Sequence, residues 1–288
     1  MSDNYHISVL LKEVLESLDI EQNKLYLDCT LGDGGYSLGI IDQGGKVIAL
    51  DQDQDAIERT ENRFFEKGIS QDSFKIVRGN FKDLGQLIKT KVSGIVYDLG
   101  VSSYQLDNGQ RGFSFRFDAP LDMRMDQRGE VRALDLINGL NKGELEKLFL
   151  IYGEVKNRKV IDAILKRRER GQIQTTTELA EIITKVAGMG KGIHPATLYF
   201  QAIRIAVNDE INSLKDSLPQ ALELLESQGR LVVVSFHSLE DRVVKEAFKE
   251  FETEGKGVAS TELVTATEAE IRSNPRARSA KLRTFTKK

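Results

Sequence analysis

The sequence predicts an α/β protein whose mostly parallel, doubly wound sheet is interrupted by an all-helical insertion. Two observations carry the sheet and one carries the insertion. Within the first hundred positions, four short apolar stretches bounded by turn residues alternate with segments of helix length. Such alternation implies parallel strands joined by right-handed crossovers. After a gap, a long helical pattern leads into the most apolar stretch of the chain, Arg230-Leu-Val-Val-Val-Ser-Phe236. Between about Asp118 and Gln201 only helix-like segments occur. The expected division is therefore a first sheet part at 1–117, a helical insert at 118–201, and a second sheet part at 202–288 that ends in a basic tail.

The expected strands are Leu25–Thr30, Lys46–Asp51, Phe74–Val77 and Gly94–Leu99, with helices at Asp55–Lys67 and before Lys91. In the insert, Gly143–Tyr152, Val155–Arg170 and Thr176–Ala187 have helical character. The last opens on Thr175-Thr-Thr-Glu178, a capping-box spacing that satisfies free amides at a helix start. From Ala202 to Ser227 the apolar residues Ile203, Val207, Ile211, Leu214, Leu218, Leu222 and Leu225 keep helical spacing, and Gly229 marks the stop. A final helix is expected from about Leu239 to Glu252.

Apolar residues make up 40 % of the 288 positions and charged residues 30 %, the balance of a globular protein. Residues Met1 to Glu13 contain no basic segment leading into an apolar run, and no stretch approaches the roughly 18 apolar residues that span a bilayer. A cytoplasmic protein without membrane contact is expected. The single cysteine, Cys29, fits a reducing compartment and excludes a cysteine-built zinc site; no metal is expected. Net charge is only −3, but the basic residues are segregated. Lys156 to Arg170 holds seven Lys and Arg against two acids, and Arg272 to Lys288 holds seven against none. These segments read either as solvated faces and a frayed tail or as phosphate-binding surfaces.

Ligands of open parallel sheets bind at the carboxyl ends of the strands, where the winding reverses. The first strand runs into the glycine cluster Asp28-Cys-Thr-Leu-Gly-Asp-Gly-Gly35, either a close-approach loop for a nucleotide-like ligand or a structural turn. Asp51 ends the second strand, where a carboxylate can accept both hydroxyls of a ribose, or cap a helix. Phe81 follows the third strand, where a ring can cover an adenine face, though by spacing alone it reads as core. Asp98 ends the fourth strand, facing the reacting atoms of such a sheet. His237, Glu240 and Asp241 lie beyond the fifth strand on the same edge and form a second group for base positioning or proton removal, a structural imidazole being the competing reading of His237. Phe113, Phe115 and Phe117 alternate with Arg111 and Arg116, as stacking and backbone contacts for an unpaired base require; a hydrophobic anchor is the alternative.

These residues fall in blocks that closely resemble the ribosomal RNA small-subunit methyltransferase H family, also called MraW. The resemblance begins at His6-Ile-Ser-Val-Leu-Leu-Lys-Glu-Val and covers almost the whole chain. Its most distinctive block is Asp98-Leu-Gly-Val-Ser-Ser-Tyr-Gln-Leu-Asp107, followed by Arg111-Gly-Phe-Ser-Phe and Pro120-Leu-Asp-Met-Arg-Met-Asp126. Later blocks are Tyr152-Gly-Glu, His194-Pro-Ala-Thr, Phe200 to Glu210, Ser235-Phe-His-Ser-Leu-Glu-Asp-Arg242 and Asn274-Pro-Arg-Ala-Arg-Ser-Ala-Lys281. The resemblance implies a Rossmann-like S-adenosylmethionine-dependent methyltransferase that modifies the N4 amine of a cytidine in the decoding region of 16S ribosomal RNA. It implies cofactor contacts at Gly34, Gly35, Tyr36, Asp51, Phe81, Asp98 and Gln105. RNA contacts are expected at Arg111, Phe115, Arg116, Lys156, Arg167, Arg168, Arg276, Arg278 and Lys281, with Asp98, His237, Glu240 and Asp241 as the catalytic candidates. His6 and His194 are expected to be structural. The implied partner is 16S rRNA or the small ribosomal subunit, and a homodimer is compatible with the sequence.

The chain departs from the family pattern at Tyr36, where His is frequent, at Tyr104, where Pro is frequent, and at Leu198, where an Arg usually follows His-Pro-Ala-Thr. Other classes fit less well. Amino-methylases of DNA carry a Pro-Pro-aromatic motif after the fourth strand, absent from Asp98-Leu-Gly-Val, and a nicotinamide-dependent dehydrogenase would need a third glycine in its fingerprint. Action on another RNA, or a non-catalytic ribosome assembly factor that retains the fold, remains as an alternative.

Overall fold

The computed structural model describes residues 8–189 and 192–288, so His6 lies outside the described residues. In chain order the elements are α1 (Leu11–Leu18), β1 (Leu25–Asp28), α2 (Gly35–Asp42), β2 (Lys46–Asp51), α3 (Gln54–Glu66), β3 (Phe74–Arg78), α4 (Leu84–Leu87) and β4 (Val92–Asp98). A helical run follows: α5 (Ser103–Asp107), α6 (Ala133–Gly139), α7 (Lys142–Gly153), α8 (Arg158–Arg168), α9 (Thr176–Ala187) and α10 (Thr197–Asn208). The remainder is α11 (Glu210–Leu224), β5 (Leu225–Ser235), α12 (Ser238–Thr253), β6 (Gly257–Ala259), β7 (Val264–Thr265), α13 (Glu268–Ser273) and β8 (Lys281–Lys287).

The chain divides into two units, one formed by Met1–Gly100 with Ile211–Lys288 and the other by Val101–Glu210. The helical unit thus starts before and ends after the expected 118–201. In the first unit the strands order as β3-β2-β1-β4-β5-β8-β6, with β7 pairing on β8. β1 to β5 run parallel, and β8 is antiparallel to β5. The order reverses at β1, whose neighbours are β2 and β4. The carboxyl ends of β1, β2 and β4 therefore share one edge, where a doubly wound sheet binds its ligand.

The segment expected as a basic tail is a strand of this sheet. Leu282 pairs with Val234 and Phe285 with Leu231, and both are buried. Leu282 joins the cluster of Val14, Leu18, Ile40, Val232 and Val234, whereas Phe285 packs against Phe248 and Phe251 of α12 at 5.4 and 5.7 Å. Successive strand positions face opposite sides of a sheet, so residues three apart plug the two cores.

The single helix expected from Ala202 is two. α10 stops at Asp209, whose φ of 49° lies in the left-handed region, and α11 starts at Glu210. Arg204 holds Glu210 through two bonds of 2.8 and 3.0 Å across this break. The helical unit has its own core, with Leu145, Phe149, Val160, Ile164, Leu179, Ile183, Tyr199 and Ile203 buried together. Among the described residues no helix is long and apolar enough to cross a membrane.

Candidate active site

The loop after β1 is shaped by backbone needs before any ligand is considered. Gly34 sits at φ 73°, and a Cβ there would lie 2.6 Å from Cγ2 of Thr60 and 2.9 Å from the Phe64 ring, so only glycine lets the loop approach α3. Thr60 Oγ1 donates to the Gly32 carbonyl (2.8 Å), and the Arg59 guanidinium binds the Asp33 carboxylate (2.8 Å). Helix α2 opens directly from this loop with no side chain capping it.

Asp51, at the tip of β2, is the anchor of that loop. Its Oδ2 accepts from the Gly32 amide (2.9 Å) and its Oδ1 from the Asp53 amide (2.8 Å). The cap of α3 is Asp53, which accepts from Asp55, so Asp51 is not spent on capping. Each carboxylate oxygen has two lone pairs, and one backbone bond apiece leaves capacity for a diol. Burial raises the Asp51 pKa to about 6 despite both amides.

Sequence reasoning passed over Asp28, which lies at the centre of the site. It is fully buried at the end of β1, where Oδ1 accepts from the Thr30 amide (3.1 Å) and Oδ2 from the Ser37 hydroxyl (2.7 Å). Thr30 in turn accepts the Asp98 amide on its hydroxyl oxygen (2.6 Å), which ties the tips of β1 and β4 together. The signal available was its position as the last residue of an apolar strand before a glycine loop.

Asp98 ends β4 with its Oδ1 buried and, among the described residues, without a hydrogen-bond partner. An unpartnered buried carboxyl oxygen is costly, and it marks the place where a ligand donor belongs. Burial, then the neighbouring charges of Asp28 and Glu240, raise its pKa to about 8. Tyr36, buried at the start of α2, donates its hydroxyl to the Val9 carbonyl, and its influence on the Asp98 carboxyl lowers that group's pKa, offsetting the rise only in part. Phe81 follows β3 half-buried, its ring edge-on to Tyr97 at 5.5 Å, and Asn80 bonds Gln52 (2.8 Å) to join the loops after β3 and β2.

The group beyond β5 is arranged differently from expectation. Glu240 is 2 % exposed, and its Oε2 accepts from the amides of Phe236 (2.8 Å) and His237 (3.3 Å). His237 caps α12 by accepting the Glu240 amide on Nδ1, a reciprocal capping box that fixes the strand-to-helix corner. With Nδ1 accepting, the neutral ring carries its proton on Nε2, which lies 3.0 Å from Glu240 Oε1 but off the hydrogen-bonding direction. Asp241 corrects the expectation of a third base. Burial raises its pKa, but hydrogen bonds from Arg283 (2.7 Å) and Lys281 (2.9 Å) outweigh that and hold it below the usual carboxylate range. A carboxylate held ionised by two cations is a weak proton acceptor, and Lys281 is correspondingly committed to Asp241 rather than open to RNA.

In the helical unit, Arg111 also departs from its expected role. It is 5 % exposed and donates to the carbonyls of Arg124 and Met125 (3.0 Å each), so it braces the chain instead of facing solvent. Phe113 is buried, and Phe115 packs against His194 (4.6 Å) and Phe200 (4.9 Å), while Arg116 and Phe117 are exposed. The His194 Nδ1 accepts from the Ala196 amide (3.2 Å). Gln105 is buried, its side-chain oxygen accepting from the Ser102 amide (3.0 Å) in a capping box at the start of α5. Arg167 pairs with Glu178 and Arg168 donates to the Leu140 carbonyl (2.7 Å), whereas Lys156 is exposed. On the first unit, Arg276 is half-buried and Arg278 exposed in the turn Pro275–Ser279.

A doubly wound sheet with a glycine loop after β1, a diol-competent carboxylate at β2 and, among the described residues, an unsatisfied carboxyl oxygen at β4 makes a site for a ribose-bearing cofactor at the strand tips. The model of the MraW methylase family matches residues 3–288, and the chain belongs to that family. A crystal structure of a protein assigned as an rRNA-methylase from Clostridium thermocellum is similar in fold, at 12 % identity and TM-score 0.50, covering 98 % of this chain and 100 % of that one. A Streptococcus mutans methyltransferase in complex with SAH covers 98 % of this chain and 100 % of its own, at 12 % identity and TM-score 0.47. As a member of the MraW methylase family the chain is an S-adenosylmethionine-dependent methyltransferase, and its residues fit that cofactor: Asp51 has acceptors left for a ribose, and among the described residues Asp98 Oδ1 lacks a donor.

Proposed function

We propose that this methyltransferase modifies the exocyclic N4 amine of a cytidine in the decoding region of 16S ribosomal RNA. The observation that carries the reading is the buried, unpartnered Oδ1 of Asp98 at the head of the block Asp98–Asp107, the most distinctive stretch of the family resemblance. When bound, S-adenosylmethionine supplies a methyl group on a positively charged sulfonium. Asp51 holds its ribose diol, the loop through Gly34, Gly35 and Tyr36 offers backbone, and Phe81 covers the adenine.

Cytosine N4 is a poor nucleophile because its lone pair is delocalised into the ring, and alignment with the methyl supplies much of the rate. An acceptor on the amine localises the pair and can take the proton. Asp98 suits that role best among the four catalytic candidates. The Nδ1 lone pair of His237 is spent on the α12 cap, Glu240 holds two amides, and Asp241 is paired. The helical unit recognises the RNA, and extruding the target base costs a few kcal/mol that stacking and phosphate contacts offset. Exposed Arg116, Lys156 and Arg278 are the favoured phosphate contacts, in the cytoplasm and on the small subunit, with a homodimer compatible.

The test is nucleoside mass spectrometry of rRNA from cells lacking the protein. An N4-methylated cytidine should disappear from 16S rRNA and return with the wild-type gene but not with Asp98→Ala. An unchanged methylcytidine pattern rules the target out, while loss of a different methylated nucleoside reassigns it.

A further inference from the structure

Residues 8–10 lie across the cofactor loop. Ser8 rests on Gly35, where a Cβ would come 2.0 Å from the Ser8 Oγ, so glycine is what lets Ser8 approach the loop. Val9 accepts the Tyr36 hydroxyl on its carbonyl (2.5 Å). The Leu10 amide donates to Oε1 of Glu270 on α13 (2.7 Å), a bond between residues 260 positions apart. Val9 and Leu10 are buried in one cluster with Tyr36, Ala277 and Ala280. Three successive residues are therefore held between the start of α2 on one side and the α13 region on the other.

Glu270 sets the conformation of this segment. Leu10 precedes α1 at φ 52° and ψ 33°, the left-handed region that a branched side chain rarely enters, so its backbone has to be held by its surroundings. Leu10 is buried, and a buried amide needs an acceptor; here it is a carboxylate oxygen from α13. Glu270 is itself fixed, its amide donating to the Thr267 hydroxyl (3.2 Å) and its carbonyl accepting from the Asn274 amide (2.6 Å). On the other side α2 opens at Gly34 with no side chain capping it, so the contacts of Ser8 and Val9 are what bear on Gly35 and Tyr36 from outside the loop.

We propose that Glu270 is a positioning residue for the cofactor: by holding the Leu10 amide it clamps residues 8–10 onto Gly35 and Tyr36 and presets that loop for S-adenosylmethionine. The inference rests on the cofactor reading of this loop and deepens it. A loop ordered in advance loses less conformational entropy on binding. The coupling is reciprocal, so a bound cofactor must in turn hold the clamp shut.

Calorimetry of the full chain with S-adenosylmethionine should show Glu270→Ala binding roughly fivefold to tenfold more weakly than wild type. Glu270→Gln keeps an oxygen acceptor for the Leu10 amide and should bind within about twofold of wild type. Exchange of the Leu10 amide with deuterium, followed by NMR, should slow in the wild type when the cofactor saturates, by a factor at least as large as the affinity lost in Glu270→Ala. A residue that only braced the fold would lower the urea midpoint when replaced, without this protection by the cofactor. Should Glu270→Ala fail to fold, the wild-type exchange experiment decides. Equal affinity in Glu270→Ala, a Gln variant as weak as the Ala variant, or Leu10 exchange indifferent to the cofactor overturns the inference alone. No binding by the wild type overturns the cofactor reading and this inference with it.

Discussion

Asp98 is placed for binding at the expense of folding, and the sign of its pH dependence follows. Its folded pKa of about 8 exceeds the ordinary 3.8, so between these values the folded chain keeps a proton that the unfolded chain has lost. Stability from this group is therefore greatest below about pH 4 and falls as pH rises toward 8, by at most about 1.4 kcal/mol per unit. Asp98→Asn removes that dependence. Its stability relative to wild type should be higher at pH 8 than at pH 5, by ~1–3 kcal/mol, in urea unfolding at the two pH values; equal differences would show that Asp98 ionises normally. Asp51→Ala makes a different case, because removing the carboxylate frees the amides of Gly32 and Asp53 as well as the ribose site. Calorimetry should show cofactor affinity falling by tenfold or more, on the order of 1.4 kcal/mol.

At the scale of elements, what was legible in the sequence follows from how each element is buried. β1, β2, β4 and β5 read clearly because central parallel strands are covered on both faces and become nearly continuous apolar runs. β8 did not, since Leu282 and Phe285 are its only large apolar residues and the cations around them suggested a solvated tail. Its stability rests on those two plugs. Phe285→Ala should cost ~3–5 kcal/mol in chemical unfolding, because the ring is fully buried against Phe248 and Phe251. A loss under about 1 kcal/mol would mean that β8 does not belong to the folded sheet. The break at Asp209 was equally hidden, for the apolar spacing runs through it and the stop depends on a backbone turn and the Arg204 pair. The positions of Asp51 and Asp98 at the tips of β2 and β4 were legible, since each closes an apolar run. The roles of Glu240 and Asp241 were not, since cap geometry and cross-strand pairing decide them.

At the scale of the whole molecule, a net charge of −3 leaves only local surfaces for the proposed RNA substrate, and the structure sorts the chain's cations by what they already hold. Lys281 and Arg283 neutralise Asp241, Arg167 meets Glu178, and Arg111 serves two backbone carbonyls. Exposed Lys156 and Arg278 differ from these, and charge reversal separates the two kinds. Removing one cation from a phosphate should lower the slope of log affinity against log salt by about 0.7 to 0.9, so Lys156→Glu and Arg278→Glu should each weaken RNA binding most at low salt. Both should leave cofactor affinity and the unfolding midpoint unchanged. Arg111→Ala should behave in the opposite way, because two carbonyls lose their donor inside the helical unit. It should cost about 1–3 kcal/mol of stability while leaving the salt slope of the remaining folded protein intact. Filter binding across a salt series, paired with urea unfolding of each variant, measures both quantities. If Arg278→Glu lowered stability instead of the slope, or Arg111→Ala the slope instead of stability, the division of these cations into bracing and phosphate-binding groups would be wrong.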